Sequence, residues 1–272
     1  MLLKNKTAVI YGAAGSMGSI ITKAFAKEGA IVFITGRTKD KLEKLGKEIN
    51  DAGGKAFVSI VDAMNKTEVS NHLNEVLKQV PQIDISFNII GIENKQGVLL
   101  TQMSVDEFVQ PIEQTLRTQF ITATAAVNVM KQKSSGVVLS LSATPGGVGY
   151  PNVGGFGPAC AALENFINHL AVEFGVYGIR AVNIRSGGSP DSKPFREFFE
   201  NDPVLYNEVM HGMKADTMLK ELPSRNDIAN IAVFLASDMA SKITGVTIDA
   251  TAGTTVGLNY RTSNNTLPFP PQ

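Results

Sequence analysis

The stretch KTAVIYGAAGSMG, residues 6–18, decides the fold of this chain. Its first half is rich in Val and Ile and predicts a buried strand, and a helix-forming run begins at residue 16. Between them Gly12, Gly15 and Gly18 permit a tight turn and close approach of a ligand to the backbone. The helix that follows directs unpaired N–H groups at the turn, where an anion binds favourably. The stretch therefore predicts a dinucleotide-binding turn, although a purely structural turn has the same glycines.

The same alternation of strand and helix continues along the chain. Short apolar runs predict strands at 6–11, 31–35, 56–61, 83–87, 136–142, 179–184 and 246–249. Longer amphipathic runs predict helices at 16–28, 39–52, 66–80, 105–132, 156–174 and 225–237. Asp106 is a candidate N-cap of the fourth helix, and Gly53 and Gly54 are expected to end the second. The pattern predicts an α/β fold of Rossmann type: a doubly wound, seven-stranded parallel sheet with helices on both faces.

The 272 residues divide into one domain and two segments that break its pattern. Residues 1–258 are expected to form a single dinucleotide-binding domain. Within it, residues 188–223 contain four prolines and interrupt the alternation, which predicts a substrate lid or a binding loop. Residues 259–272 end in LPFPPQ and predict a C-terminal tail. That tail either lies loose on the surface or packs on a neighbouring subunit.

The composition excludes several classes of function. Lys plus Arg and Asp plus Glu each total 25, and this zero net charge argues against nucleic acid or an anionic membrane as the main partner. The one cysteine, Cys160, cannot form an intramolecular disulfide, and His72, His169 and His211 show no metal-ligand spacing. The apolar runs are shorter than the roughly 18–20 residues that span a bilayer, and the first residues lack a signal-peptide pattern. We expect a soluble, cytoplasmic protein with no metal site.

Several motifs together resemble the short-chain dehydrogenases/reductases, over nearly all of residues 4–257. They are YGAAGSMG at 11–18, SFNIIG at 86–91, LPSRNDIANIAVFLASD at 222–238 and ITG at 243–245. The first is similar to the family's TGxxxGxG turn, with Ser16 in place of the middle glycine. The second lies where the family has NNAG, and there Asn88 and Gly91 agree. The resemblance implies an oxidoreductase that binds a nicotinamide cofactor and acts on a small molecule.

Arg37, two residues after the second predicted strand, indicates which nicotinamide cofactor the protein binds. The Arg37 guanidinium can form a charge-assisted, bidentate pair with a 2′-phosphate, whereas NAD-selective relatives carry an acid near this place. With help from Thr38, Arg37 therefore predicts NADP(H), although a solvated surface arginine is the alternative. Asp62 matches the acid that holds the adenine amino group in the family. The expected cofactor contacts are Gly12, Ala14, Gly15, Ser16, Met17, Gly18, Arg37, Thr38, Asp62, Ala63, Asn88, Ile89, Gly91, Gly187 and Ser189.

Other residues occupy the family's catalytic positions. The family carries a tyrosine and a lysine one helical turn apart on its fifth helix, and Phe156 and Cys160 stand there in this chain. Ala143 falls on the family's serine, with Ser142 beside it, and Thr115 falls on its asparagine. Phenylalanine has no exchangeable proton and a neutral thiol cannot replace a fixed cation. The family's usual proton relay is therefore not expected to operate.

Two hydroxyl groups are candidate substitutes for the missing proton donor. Tyr150 lies in the loop before the fifth predicted helix, and Ser142 lies at the end of the fifth predicted strand. Each also has a structural interpretation, as a packed loop tyrosine and as a strand-end hydrogen-bonding group. Cys160 invites a nucleophile hypothesis, but we expect it to be a small core residue.

Three functions are consistent with a chain that retains the family's cofactor-binding residues but has other residues at the family's catalytic positions. The one we favour is an NADP-dependent oxidoreductase of atypical mechanism, acting on a carbonyl, enone or imine, because hydride transfer needs only an oriented acceptor. The alternatives are a cofactor-binding sensor or regulatory subunit without turnover, and a structural partner of an active relative.

The predicted helices 105–132 and 156–174 carry apolar residues on more than one face. A helix packed on a sheet buries one stripe, so the surplus predicts a homo-oligomer. By resemblance the assembly is a tetramer that pairs these two helices across a two-fold axis. The alternative is that the lid or tail of the same chain covers the surplus.

Overall fold

The structure is a computed structural model that describes residues 1–91 and 93–256, so the tail at 259–272 lies outside the described residues. Its strands are β1 Thr7–Tyr11, β2 Ile31–Gly36, β3 Lys55–Ile60, β4 Ile85–Asn88, β5 Gly136–Ala143, β6 Ile179–Ser186 and β7 Val246–Ala250. They form one sheet in the order β3-β2-β1-β4-β5-β6-β7, and every neighbouring pair is parallel. The predicted seven-stranded parallel sheet is confirmed.

Helices cover both faces of the sheet, as the alternation predicts. They are α1 Ser16–Lys27, α2 Lys39–Asp51, α3 Lys66–Leu77, α4 Val105–Met130, α5 Phe156–Phe174, α6 Lys193–Asn201, α7 Pro203–Asp216 and α8 Arg225–Ala236. Apolar residues of α1, α2 and α8 pack in the core on one face, and those of α3, α4 and α5 pack in the core on the other. The five inner strands, β2, β1, β4, β5 and β6, are largely buried from both sides, which explains their nearly continuous apolar sequences. The two edge strands, β3 and β7, are more exposed.

The strand order determines where a ligand can bind. β2 and β4 lie on opposite sides of β1, so the connections that leave β1 and β4 run to opposite faces of the sheet. Between them, at the carboxyl ends of the strands, Tyr11 is paired in register with Thr35 on one side and Asn88 on the other. Crevices at such a reversal are the usual ligand sites of doubly wound sheets.

Two local expectations need correction. Residues 188–223 contain two helices, α6 and α7, and Pro194 and Pro203 lie in their first turns, where a missing N–H costs no hydrogen bond. The prediction that Asp106 caps α4 was wrong. Ser104 is the N-cap: its hydroxyl accepts from the N–H of Glu107, and the Glu107 carboxylate accepts from the N–H of Ser104. This reciprocal capping box satisfies two N–H groups, more than Asp106 alone offers.

Two negative findings hold for residues 1–91 and 93–256. No helix there combines the length and apolar character needed to cross a bilayer. No group of three or more His, Cys, Asp or Glu side chains there is arranged to hold a metal ion.

Candidate cofactor and catalytic site

A cleft of about 250 Å³ opens at the carboxyl edge of the sheet, where β1, β2, β3 and β4 end. Nine of the expected cofactor contacts line it: Gly12, Ala14, Gly15, Arg37, Thr38, Asp62, Ala63, Ile89 and Gly91. They come from four separate loops, and parallel strands bring them together because the carboxyl ends of such strands share one edge.

The glycine-rich turn leaves the start of α1 open to a ligand. Gly12 has φ +74°, and a Cβ there would lie 2.8 Å from the carbonyl oxygen of Ile89. A Cβ at Gly18 would overlap the carbonyl oxygen of Gly12, so both positions require glycine for packing alone. Gly15 is the N-cap of α1, it has no side chain to cap the helix, and the first turn carries no acid. The N–H groups of Ser16 and its successors in that turn are therefore suited to an anion.

The far end of the cleft is positively charged. Arg37 and Lys41 both line it and are exposed, and neither forms an ion pair with a residue in the described part of the chain. Thr38 is the N-cap of α2, but its side chain makes no capping hydrogen bond. Sequence reasoning missed Lys41. The sequence signal for Lys41 is its position in the first turn of α2. Long side chains of a helix point back toward the helix N-terminus, and here the N-terminus of α2 borders the cleft.

Asp62 also lines the cleft, and Asn88 is the last residue of β4, just before the loop that lines it. The Asp62 Oδ1 accepts a 3.0 Å hydrogen bond from the N–H of Met64, while Oδ2 has no hydrogen bond from a described residue. Asn88 is buried, its amide donates to Thr122 Oγ1 at 3.0 Å, and its Oδ1 accepts from the N–H of Ile90. Asp62 thus keeps one oxygen for a ligand, whereas Asn88 holds the β4 loop to α4.

Gly187 and Ser189 lie after β6 and are not part of the 250 Å³ cleft. The N–H of Gly187 donates to the carbonyl of Ala250. The Ser189 hydroxyl is buried and has no hydrogen-bond partner within the described residues. A buried hydroxyl without a partner is costly, so this group fits a polar ligand atom that the protein itself does not supply.

Phe156 and Cys160 lie together on the first turns of α5. Phe156 is the first residue of the helix and is half-buried. Cys160 is fully buried, and burial raises the pKa of its thiol to about 11, with the nearby Glu164 carboxylate also raising it. The thiol is therefore protonated at neutral pH and is a poor nucleophile. The expectation that Cys160 packs in the core agrees with this burial.

Ser142 and Thr115 hydrogen-bond inside the protein. The Ser142 hydroxyl donates to Glu164 Oε1 at 2.7 Å and accepts from the Asn183 amide at 2.7 Å. The Thr115 hydroxyl donates to the carbonyl of Pro111 at 2.7 Å. Each hydroxyl has one proton, which is already donated, so neither offers a hydrogen bond to a substrate carbonyl in this arrangement. Ala143, the last residue of β5, has no polar side chain to contribute.

An ion-pair cluster that sequence reasoning missed lies beside these groups. Arg185 donates from Nε to Glu164 Oε1 at 2.9 Å, from Nη2 to Glu164 Oε2, and from Nη1 to Asp249 Oδ2 at 3.0 Å. The hydrogen bond to Glu164 raises the pKa of Arg185. Burial tends to raise the pKa of Asp249, but hydrogen bonds from Thr251, Thr255 and Arg185 outweigh this and lower it. The cluster ties α5, β6 and β7 together.

Tyr150 lies in the loop that precedes α5. It lines a second, apolar cavity of about 760 Å³ together with residues such as Leu99, Leu100, Pro151 and Pro158. Phe156 does not line that cavity. Gly157 and Pro158, the residues that follow Phe156 on α5, do line it.

Comparisons with known proteins agree with this geometry. The family model described as enoyl-(acyl carrier protein) reductase matches residues 12–255. The 3-oxoacyl-[acyl-carrier-protein] reductase FabG of Chlamydia muridarum is 29% identical over 253 residues, covering 93% of this chain and 98% of the relative. The uncharacterized oxidoreductase YxbG of Bacillus subtilis is 28% identical over 251 residues, covering 92% and 91%.

A solved NAD⁺-bound xylitol dehydrogenase superimposes with a TM-score of 0.85 at 20% identity, covering 93% of this chain and all of that one. At this identity the likeness supports the fold. The family model, by contrast, spans most of the chain, from the glycine-rich turn to beyond β7. The chain therefore belongs to the short-chain dehydrogenase/reductase family of oxidoreductases.

Proposed function

We propose that this protein binds NADP(H) and catalyses hydride transfer between it and a small molecule that carries a carbonyl, an enone or an imine. The observation that carries the proposal is the 250 Å³ cleft, where the glycine-rich turn, Arg37 and Asp62 meet. When bound, the nicotinamide supplies or accepts the hydride. The residues present suit this cofactor: an open helix N-terminus, two exposed cations, and the buried hydroxyl of Ser189, which no other described residue satisfies.

The charged end of the cleft favours NADP(H) over NAD(H). Arg37, Lys41 and the unused hydroxyl of Thr38 surround the N-terminus of α2, which is itself favourable for an anion. A 2′-phosphate there gains a bidentate contact from Arg37 and a second positive charge from Lys41. Among the described residues, no acid lines the cleft at this end to accept a hydrogen bond from a ribose 2′-hydroxyl instead.

The catalytic end favours an acceptor that needs no proton in the hydride-transfer step. Phe156 presents a ring without an exchangeable proton, and the Cys160 thiol is buried. General acid catalysis contributes about 10²–10⁴-fold, and simple ketones depend on it. A conjugated alkene can take hydride at its β-carbon to give an enolate, which then gains its proton from water. An iminium becomes a neutral amine when it takes hydride and needs no proton. Such substrates suit this site better than simple ketones.

A cofactor-binding sensor without turnover, or an inactive partner of an active relative, is the second candidate. The observation that favours it is the same pair, Phe156 and Cys160, with Ser142 engaged by Glu164 and Asn183. Under this alternative the protein binds the dinucleotide and changes conformation, but it transfers no hydride to or from a substrate.

Titration calorimetry with NADPH and NADH tests the cofactor proposal. Wild type is expected to bind NADPH at least about tenfold more tightly, and Arg37→Asp is expected to abolish that preference. Lys41→Gln should weaken NADPH alone, while Lys44→Gln, which removes an exposed cation of α2 outside the cleft, should leave both affinities unchanged. Equal wild-type affinities for the two cofactors would refute the NADP(H) proposal. Turnover of NADPH against ketones, enones and imines then separates the enzyme from the sensor.

We also infer a homo-oligomer, a tetramer assembled through α4 and α5. Phe120 is 56% exposed and Val172 is 79% exposed in the single chain, and Ala161, near the start of α5, is also exposed. Phe120 packs against Phe166, with ring centroids 6.2 Å apart, so the two helices share one apolar outer surface. Family members commonly form oligomers, which supports this inference. The cytoplasmic location stays a prediction.

A further inference from the structure

Arg225 occupies an unusual position for a cation. It is the first residue of α8, where the helix dipole disfavours positive charge, and its side chain is only 16% exposed. A largely buried arginine at a helix N-terminus requires compensating partners. The partners found in the structure all lie at the glycine-rich turn or at the start of the lid.

Three segments of the chain meet around this guanidinium. Arg225 donates from Nε to Asp191 Oδ2 and from Nη1 to the carbonyl of Ser16, both at 3.1 Å. Its backbone N–H donates to Asp191 Oδ1, also at 3.1 Å. Close by, the N–H of Lys193, the first residue of α6, donates to Ser16 Oγ at 2.8 Å. The first residues of the lid therefore contact the first turn of α1.

The described residues do not use all the hydrogen-bond donors of the Arg225 guanidinium. Arginine has five N–H donors, and Nη2 makes no hydrogen bond to any residue in 1–91 or 93–256. Its ion-pair partner, Asp191, has a side chain that is 43% exposed. The buried hydroxyl of Ser189, which has no partner within the described residues, lies two residues before Asp191 in the same loop. The segments that meet at the first turn of α1 therefore carry, or directly adjoin, polar groups that no described residue uses.

We propose that Arg225 contacts the diphosphate of the dinucleotide, at the point where the start of the lid meets the first turn of α1. This inference rests on the proposed function, because the ligand is the same cofactor. The diphosphate carries negative charge, α1 offers N–H groups but no cation of its own in its first turn, and Arg225 lies within hydrogen-bond distance of Ser16. The guanidinium then bridges the Asp191 carboxylate and a phosphate.

The test compares two ligands that differ in the diphosphate. NADPH contains it, whereas adenosine 2′-monophosphate carries the adenosine and 2′-phosphate without it. Arg225→Gln is expected to weaken NADPH binding at least about tenfold, the loss of one charge-assisted hydrogen bond, and to leave the affinity for adenosine 2′-monophosphate unchanged. Arg196→Gln is the matched control, since Arg196 is an exposed cation of the same lid segment. It should leave both affinities unchanged.

A second variant separates ligand binding from a merely structural latch. Asp191→Asn breaks the ion pair but keeps the cation, so NADPH binding should not weaken. Equal weakening in Asp191→Asn and Arg225→Gln would show that the pair acts only as a latch and would overturn the proposal. So would unchanged NADPH affinity in Arg225→Gln, or an equal loss for both ligands. If wild type bound neither ligand, the proposed function would fail first, and that outcome is distinct from all of these.

Discussion

His72 gives a direct test of the packing around α3. The imidazole is 7% exposed, and neither ring nitrogen has a hydrogen-bond partner within the described residues. Burial lowers its pKa from 6.5 to about 4. The folded protein therefore holds His72 neutral, while the unfolded chain takes up a proton at pH values below about 6.5. Stability associated with this group is present above pH 6.5 and is lost as the pH falls toward 4.

The size of the loss follows from the pKa of His72 in the folded and unfolded chain. A tenfold change in proton affinity corresponds to about 1.4 kcal/mol, so lowering the pKa from 6.5 to about 4 costs about 3 kcal/mol of stability once the pH is below 4. At pH 5 the difference in proton binding amounts to about 2 kcal/mol. This is a large share of the roughly 5–15 kcal/mol that stabilises a typical native protein.

Urea unfolding at pH 7 and pH 5 measures this effect. Wild type should lose about 2 kcal/mol more between the two pH values than His72→Leu, which has nothing to protonate at that position. At pH 7 the variant should be at least as stable, because an unpartnered polar ring is replaced by an apolar group. His211→Leu, at an exposed position of α7, is the control and should lose as much as wild type. Parallel losses in wild type and His72→Leu would refute the reasoning.

Three further changes test the site and its surroundings. Phe156→Tyr restores a hydroxyl at the start of α5 and should raise the rate of ketone reduction about tenfold or more in a steady-state NADPH assay, whereas Phe156→Leu should not. Glu164→Gln leaves Arg185 with one carboxylate and should lower the free energy of urea unfolding by about 3 kcal/mol, while Glu113→Gln in an exposed pair should cost less than about 1 kcal/mol. Phe120→Glu should convert the proposed tetramer into single chains of 29.1 kDa in light scattering, and those chains should keep the wild-type circular dichroism spectrum.

Each of these has a clear contrary outcome. Fast ketone reduction by wild type would show that another group already supplies the proton. Equal costs for Glu164→Gln and Glu113→Gln would mean that the buried cluster contributes no more than a surface pair. Loss of the folded structure in Phe120→Glu would show that the ring stabilises the single chain itself and not an interface between chains.

The regular elements were predictable because their signals are local. The fifth helix spans residues 156–174 as expected, and the seven strands begin within two residues of their predicted starts. The cap of α4 was predicted wrongly because Ser104 and Asp106 are both good capping residues. The spacing from Ser104 to Glu107, which defines a capping box, was the signal that distinguishes them.

The candidate site was predictable only in part, for a geometric reason. Contacts that follow the ends of strands, such as Arg37 and Asp62, could be placed because parallel strands align those ends. The cluster around Arg185 depends on strand register, which pairs Arg185 with Asp249, 64 residues later. The contact between Arg225 and Asp191 depends on the path of the lid, and the spacing of residues does not specify such a path.

The cluster around Arg185 also bears on how the chain matures during synthesis. Glu164 lies on α5 and is made before β6, so it can pair with Arg185 as soon as both have left the ribosome. Asp249 arrives only with β7, the last strand of the described residues. A nascent chain that stops before residue 246 has its glycine-rich turn and six strands, but it lacks the second carboxylate of Arg185. β7 thus adds both a strand and a charge, and a truncation before it leaves the Arg185 cluster unfinished while the residues that line the 250 Å³ cleft are all present.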